Sequence, residues 1–210
     1  AALERGVGRN QRWVGWGAGF ADFDNDAWPD ILIVNGHVFP ELDGANLGLS
    51  FRQPRVLYRN IRGERFEDVS AKAGPAITTP AAGRGAAFGD FDNDGRVDVV
   101  INNMNAAPSL LHSEVRSQNH WVSIRLEGVK SNRSAIGARV ICVTGGLRQI
   151  EEVRSGGGFF SQNDFRVHFG LGAARRIDLI EIRWPSGLVE QIRNYDADRI
   201  LSVKEGSGVV

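Results

Sequence analysis

Eight aspartates carry the chemistry that this sequence suggests. Asp22, Asp24, Asp26 and Asp30 recur as Asp90, Asp92, Asp94 and Asp98, so positions 1, 3, 5 and 9 of two short segments are acidic. Carboxylates at alternate positions of a tight turn can converge on one point, and oxygen-only donors of this kind suit a hard cation. The flexible six-to-eightfold shell of Ca2+ fits them better than the strict octahedron of Mg2+. The backbone carbonyl of position 7, Trp28 or Arg96, is expected to add a further oxygen. Turn-capping acids that merely face water are the simpler explanation. Four carboxylates at the same spacing in two copies weigh against it, because unneutralised charges about 4 Å apart repel by several kcal/mol even at an effective dielectric of about 20. The expectation is therefore two Ca2+ sites. Position 6 differs between the copies, Ala27 against Gly95. If that position needs a positive φ, alanine is strained there by roughly 1–2 kcal/mol.

These are not EF-hands. The bidentate glutamate of position 12 would fall on Ile33 and Ile101, and the helix that should follow is replaced by strand-forming runs such as Ile31-Leu32-Ile33-Val34. The loops belong on β-turns, and the residues around them say how they are held. Residues 15–35 and 83–103 align at an offset of 68 with 12 of 21 positions identical. Each copy reads Gly-x-Gly-Ala, an aromatic, the acidic loop and a β-branched strand. Between them, Arg55-Val56-Leu57-Tyr58-Arg59-Asn60 and Arg65-Phe66-Glu67-Asp68-Val69 also read as strands. A unit of about four strands repeating at this length predicts a propeller blade, with the loop from Val38 to Pro54 lengthening the period. Two blades do not close a ring, which takes roughly four to eight, so upstream blades of the same or a partner chain are expected.

The second half is also β. Trp121 to Leu126 and Ile180 to Trp184 alternate polar and apolar residues, the period of a half-buried strand. Pro185-Ser186-Gly187 then predicts a hairpin into Leu188 to Ile192. The best helical candidate, Asp68 to Ala73, is a turn or two that Gly74-Pro75 should stop. The fold class is all-β: a partial propeller at 1–117, a β-sandwich-like domain at 118–206 and a tail at 207–210.

Composition excludes several functions. The 210 residues carry 25 basic and 25 acidic side chains, so no excess field would draw nucleic acid. Cys142 is the single cysteine, which rules out an internal disulfide or a cysteine-based zinc site, and its apolar run makes it a core residue. No stretch reaches the roughly 18 apolar residues of a membrane span, and no signal peptide opens the chain. His37, His112, His120 and His168 lack metal-ligand spacing, and no nucleophile elbow is present. No enzyme is expected. A triad of Ser155, His168 and Asp178 assembled by folding has no support in the sequence.

With those residues in view, the two loops resemble the FG-GAP/VCBS repeats of integrin-type propellers and many secreted bacterial proteins. From about Asn119 to Glu205 the chain resembles the ASPIC/UnbV domain. Its markers are His120-Trp121, the run Ser131-Asn132-Arg133-Ser134-Ala135-Ile136-Gly137-Ala138, then Phe169-Gly170-Leu171-Gly172, and Trp184-Pro185-Ser186-Gly187. The order of repeats and terminal domain is similar to that of the cartilage acidic protein-like family, a bacterial member being the expectation. The resemblance implies a calcium-binding protein that is secreted, periplasmic or at the cell surface. On that reading the chain is a binding or adhesion module for an extracellular protein or glycan. Two alternatives are a structural subunit of an extracellular assembly or filament, and a non-catalytic part of a carbohydrate-active enzyme. The glycine-rich Ser155 to Phe160 segment is expected to be a mobile hairpin connection, with a binding loop as the alternative.

Overall fold

The computed structural model describes residues 2–8, 12–45 and 47–210. Strand β1 (Gly15–Ala21) pairs antiparallel with β2 (Asp30–Asn35), β2 with β3 (Val56–Ile61) and β3 with β4 (Arg65–Asp68), the four-stranded meander expected of a blade. The second copy forms β5 (Gly83–Gly89), β6 (Asp98–Asn103) and β7 (Ser109–Leu111), and among the described residues its sheet stops at three strands. Beyond Leu111 the chain runs on to the second domain. Register shifts fall at Gly15/Ala18 and Gly83/Ala86, so the repeat extends to a bulge at the same place in each first strand. Of the expected helix, Ser70–Lys72 is a 3-10 turn, and Pro75 opens α1 (Pro75–Thr78) rather than ending a helix. Proline suits the first helical position, where its missing N–H has no partner to lose.

The blades pack face to face. Leu32 and Val34 of the first meet Ala86, Phe88, Val99 and Ile101 of the second in one buried cluster. Gly19 is required there, because a Cβ would lie 2.4 Å from the Phe88 ring.

Strands β8 (His120–Glu127), β9 (Arg139–Thr144), β10 (Leu147–Glu152), β11 (Val167–Gly172), β12 (Arg176–Arg183), β13 (Val189–Asp196), β14 (Arg199–Lys204) and β15 (Gly208–Val209) complete the chain. They make two sheets, ordered β11-β8-β14-β15 and β10-β9-β12-β13, with β14 parallel to β8. The expected hairpin is present, Arg183 facing Val189. Residues 207–210, read as a tail, contribute β15. Val122, Ile124, Phe169 and Leu201 from one sheet and Val140, Cys142, Ile180 and Ile182 from the other form a second core. Cys142 is fully buried there, and desolvation pushes its thiol up to about 12.

The glycine-rich segment is not a free connection. Its Phe159 and Phe160 carbonyls lie against Gly85, and the residues that follow it run along β5: the Ala86 N–H donates to Ser161 Oγ (2.9 Å), the Phe88 N–H to Asn163 Oδ1 (3.1 Å), and the Asp164 N–H to the Phe88 carbonyl (2.9 Å). Phe159 packs on Trp16 with ring centroids 4.9 Å apart. An unpaired strand edge attracts donors and acceptors wherever they come from, and here they come from the second domain.

The sandwich is closed by a single carboxylate. Glu205 is only 4% exposed and accepts hydrogen bonds from the N–H groups of Val129, Lys130 and Ser131 (2.6, 2.7 and 2.8 Å), from Ser131 Oγ (2.9 Å) and from Ser186 Oγ. Burial alone would raise its pKa, but the hydroxyl and backbone donors outweigh it and hold the carboxyl down at about 2. A carboxylate whose folded pKa lies below its unfolded value of 4.5 stabilises the fold above that pH and loses this contribution as pH falls towards 2. Glu205→Gln is therefore expected to lower the melting midpoint at pH 7, with the gap to wild type closing between pH 4.5 and 2. Thermal unfolding followed by circular dichroism over that range checks it, and a gap independent of pH would count against the ionised anchor.

Candidate metal centre

Both acidic loops fold identically because position 1 turns the chain back on itself. Asp22 accepts the N–H groups of Asp26 and Ala27 (3.0 and 2.7 Å), and Asp90 those of Asp94 and Gly95 (3.1 and 2.9 Å). Asp26 and Asp94 accept the N–H of Trp28 and Arg96 (3.0 and 2.9 Å). Position 4 is left-handed in both copies, Asn25 at φ 58° and Asn93 at 63°. Position 6 is too, Ala27 at 74° and Gly95 at 85°. The first loop thus holds an alanine in the conformation that glycine takes without strain.

The fold gathers three of the four predicted carboxylates of each loop, while Asp30 stands outside the first group and Asp94 groups instead with Asp92 and His112. Oxygens of Asp22, Asp24 and Asp26 lie within 4.8 Å of one another, and so do those of Asp90, Asp92 and Asp98. Asp30 serves as a brace as well, its Oδ1 accepting the Asn60 N–H at 2.8 Å and so tying the loop to β3. Asp98 makes the equivalent bond to the Ser113 N–H at 2.8 Å. For Trp28 and Arg96 the hydrogen bonds fix the N–H groups, and their carbonyls stay candidates on spacing alone.

These residues fit a hard cation. Asp24 Oδ1 is buried with no hydrogen-bond partner, an orphan that a buried oxygen does not tolerate cheaply. Burial pushes the carboxyls of Asp22 and Asp30 up to about 7, with Asp24 and Asp26 adding repulsion against the pull of backbone N–H groups. Asp26 and Asp90 are raised too, again chiefly by burial. Carboxylates disfavoured in their own site gain most from a divalent ion among them.

Each cluster also has a basic residue that the spacing did not reveal. Arg59 Nη2 lies 2.6 Å from Asp24 Oδ2. His112, dismissed on sequence, places Nδ1 3.1 Å from Asp98 and Nε2 3.9 Å from Asp92. Ile31 pairs with Tyr58 and Val99 with Leu111, so Arg59 and His112 occupy the same place in the two blades. Loops of different length before β3 and β7 shift them out of the 68-residue repeat. Arg96 also pairs with Asp94.

The second domain reaches the loops directly. Asn119 Nδ2 donates to the Asp24 carbonyl at 2.8 Å, and the Gly172 N–H to the Asn25 carbonyl at 2.9 Å. Asn25 Nδ2 donates across to the Gly95 carbonyl at 2.9 Å, so its Oδ1 faces His168 Nε2 at 2.8 Å and that nitrogen carries the proton. Burial pulls the His168 pKa down to about 4, which keeps the ring neutral. Asp178, its partner in the conceivable triad, instead accepts the Gly145 N–H. Beside the loops a cleft of about 550 Å³ opens between the blades and the sandwich, lined among others by Phe20, Gln149, Glu151, Arg154 and Asp164.

Ala27→Gly is expected to relieve roughly 1–2 kcal/mol of left-handed strain, less the entropy that glycine adds to the unfolded chain, about 0.4–1 kcal/mol. The net gain of up to about 1.5 kcal/mol corresponds to a rise of up to roughly 3–6 °C in melting midpoint. Calorimetry on the two chains measures it, and a fall in midpoint would contradict the strain.

A family model described as ASPIC and UnbV matches residues 128–210, and one described as an FG-GAP-like repeat matches residues 47–101, which includes the second acidic loop but not the first. Cartilage acidic protein 1 of Xenopus tropicalis is 27% identical over 180 residues, covering 80% of this chain and 25% of that protein. The Homo sapiens protein of the same name is 26% identical over 196 residues, covering 88% of this chain and 27% of its own length. The chain thus spans about a quarter of the length of the curated relatives it matches. The chain is thus similar to an FG-GAP-like repeat over residues 47–101 and to an ASPIC and UnbV domain over residues 128–210, with distant homology to cartilage acidic protein 1.

Proposed function

We propose that this chain is part of a secreted or surface-exposed interaction module whose two blade loops hold Ca2+ and whose rigid loops and cleft bind an extracellular protein or glycan. The observation that carries the reading is the buried, unpartnered Asp24 Oδ1 inside a carboxylate cluster that recurs in the second blade. Asp22, Asp24, Asp26 and Asp30 would hold one ion and Asp90, Asp92, Asp94 and Asp98 the other, with the carbonyls of Trp28 and Arg96 completing the shells. Bound calcium neutralises the loops and stops the strands they join from fraying. A site of extracellular type needs a dissociation constant of only about 10⁻⁴–10⁻³ M.

Further blades of the same or a partner chain are the expected neighbours. Phe20, paired with Ile31, is 70% exposed on the outer face of the first blade. Val100 and Leu110 pair on the outer face of the second and are 48% and 54% exposed. Both faces carry the apolar pairs that the buried face between the blades uses. No helix among the described residues is long and apolar enough to cross a membrane.

Thermal unfolding in EDTA and across a calcium titration, with Mg2+ as control, tests the reading. At 100-fold excess over the dissociation constant one site adds about 2.7 kcal/mol, or roughly 5–10 °C for a chain of this size. Asp24→Ala and Asp92→Ala are each expected to remove part of that rise. A flat titration, or an equal response to Mg2+, would reduce the aspartates to turn caps.

A further inference from the structure

We propose that the residues between the metal-binding positions of the two loops form the docking surface for this chain's own β-sandwich, and that calcium sets the strength of that docking. The inference rests on the calcium reading above. Positions 1, 3 and 5 supply carboxylates, whereas the contacts to the second domain come from position 4 and from the backbone carbonyls of positions 1 and 3. Asn25 alone bridges three elements: its side chain joins the Gly95 carbonyl of the other loop to His168 on β11, and its carbonyl accepts the Gly172 N–H. Asn93 does the equivalent work in the second blade, where its Oδ1 accepts a hydrogen bond from Arg166 Nη1 at 2.5 Å and Arg166 Nη2 donates to the Asp90 carbonyl.

The approach is as close as backbone allows. A Cβ on Gly170 would lie 2.0 Å from Asp22 Oδ2 and 2.6 Å from Asn25 Cα, and one on Gly95 would lie 1.9 Å from the Trp121 indole. Docking therefore needs both loops in one conformation, with Asn25 and Asn93 left-handed, a region that non-glycine residues adopt at a cost. A cation held by the residues on either side of position 4 pins that residue in place. Without it, the mutual repulsion and burial of the carboxylates favour loop opening, and every contact made by position 4 is lost together. Coupling of this kind is reciprocal: if calcium tightens docking, docking tightens calcium by the same factor.

Two measurements on the intact chain test this. Hydrogen exchange by mass spectrometry is run with calcium and with EDTA. Chelation is expected to speed exchange about tenfold or more across residues 157–172, while β12 in the sandwich core keeps its protection. Titration calorimetry then compares wild type with His168→Ala and the milder Asn119→Ala, neutral truncations that touch no carboxylate. The expected result is calcium affinity about fivefold weaker or more in the variants. If wild type binds calcium but exchange at 157–172 is the same in EDTA, or if both variants bind as tightly as wild type, the coupling is wrong. If wild type gives no heat with calcium, the calcium reading itself falls and takes the coupling with it. Asn119→Ala and the wild-type exchange data decide the matter even if His168→Ala does not fold.

Discussion

Buried carboxylates govern how this molecule is put together, and it meets their cost in two ways. Glu205 is surrounded by N–H and hydroxyl donors from two turns and stays ionised to about pH 2. Asp22 and Asp30 receive fewer donors and more neighbouring acids, so burial drives them up to about 7. The first carboxylate is complete within the protein. The others have fewer donors than their burial calls for, and this contrast, more than the count of acids, separates a structural anchor from a candidate metal cluster. Arg59 supplies part of the missing charge at the first loop, and His112 stands at the equivalent place beside the second, but Arg59 leaves Asp24 Oδ1 without a partner.

The markers of the terminal domain acquire physical reasons on this basis. Ser131 and Ser186, from the runs Ser131 to Ala138 and Trp184 to Gly187, both converge on Glu205. His120-Trp121 opens β8, with His120 Nδ1 2.7 Å from Asp198 and Trp121 packed over Gly95. The glycines of Phe169-Gly170-Leu171-Gly172 admit the first acidic loop against β11. One pair of motifs thus closes the sandwich and the other seats it on the blades. Ser161 and Asn163, just past the glycine-rich segment, add a third attachment along β5.

Much of the fold was legible because it is written in short-range patterns. Alternation located the strands, the 68-residue repeat located both blades and both acidic loops, and the positive φ required at position 6 is found at Ala27. What was misread lay wherever the partner is distant in the chain. Ser155 to Phe160 reads as flexible because glycines free the backbone locally, yet its end packs on the Trp16 ring and against Gly85 of β5. The second blade lacks a fourth strand among the described residues because the chain turns away after Leu111.

The sequence by itself determined the all-β class, the acidic loops and the chemistry their oxygens invite, since each depends on residues a few positions apart. Only the tertiary structure decided which residues of the neighbouring strands stand beside each loop, that Glu205 anchors a turn some 75 residues away, and that Asn25 links both loops to His168 across 143 residues. Spacing along a chain records contacts made within a turn or a strand. Contacts made by sheets packing on one another leave no period to read.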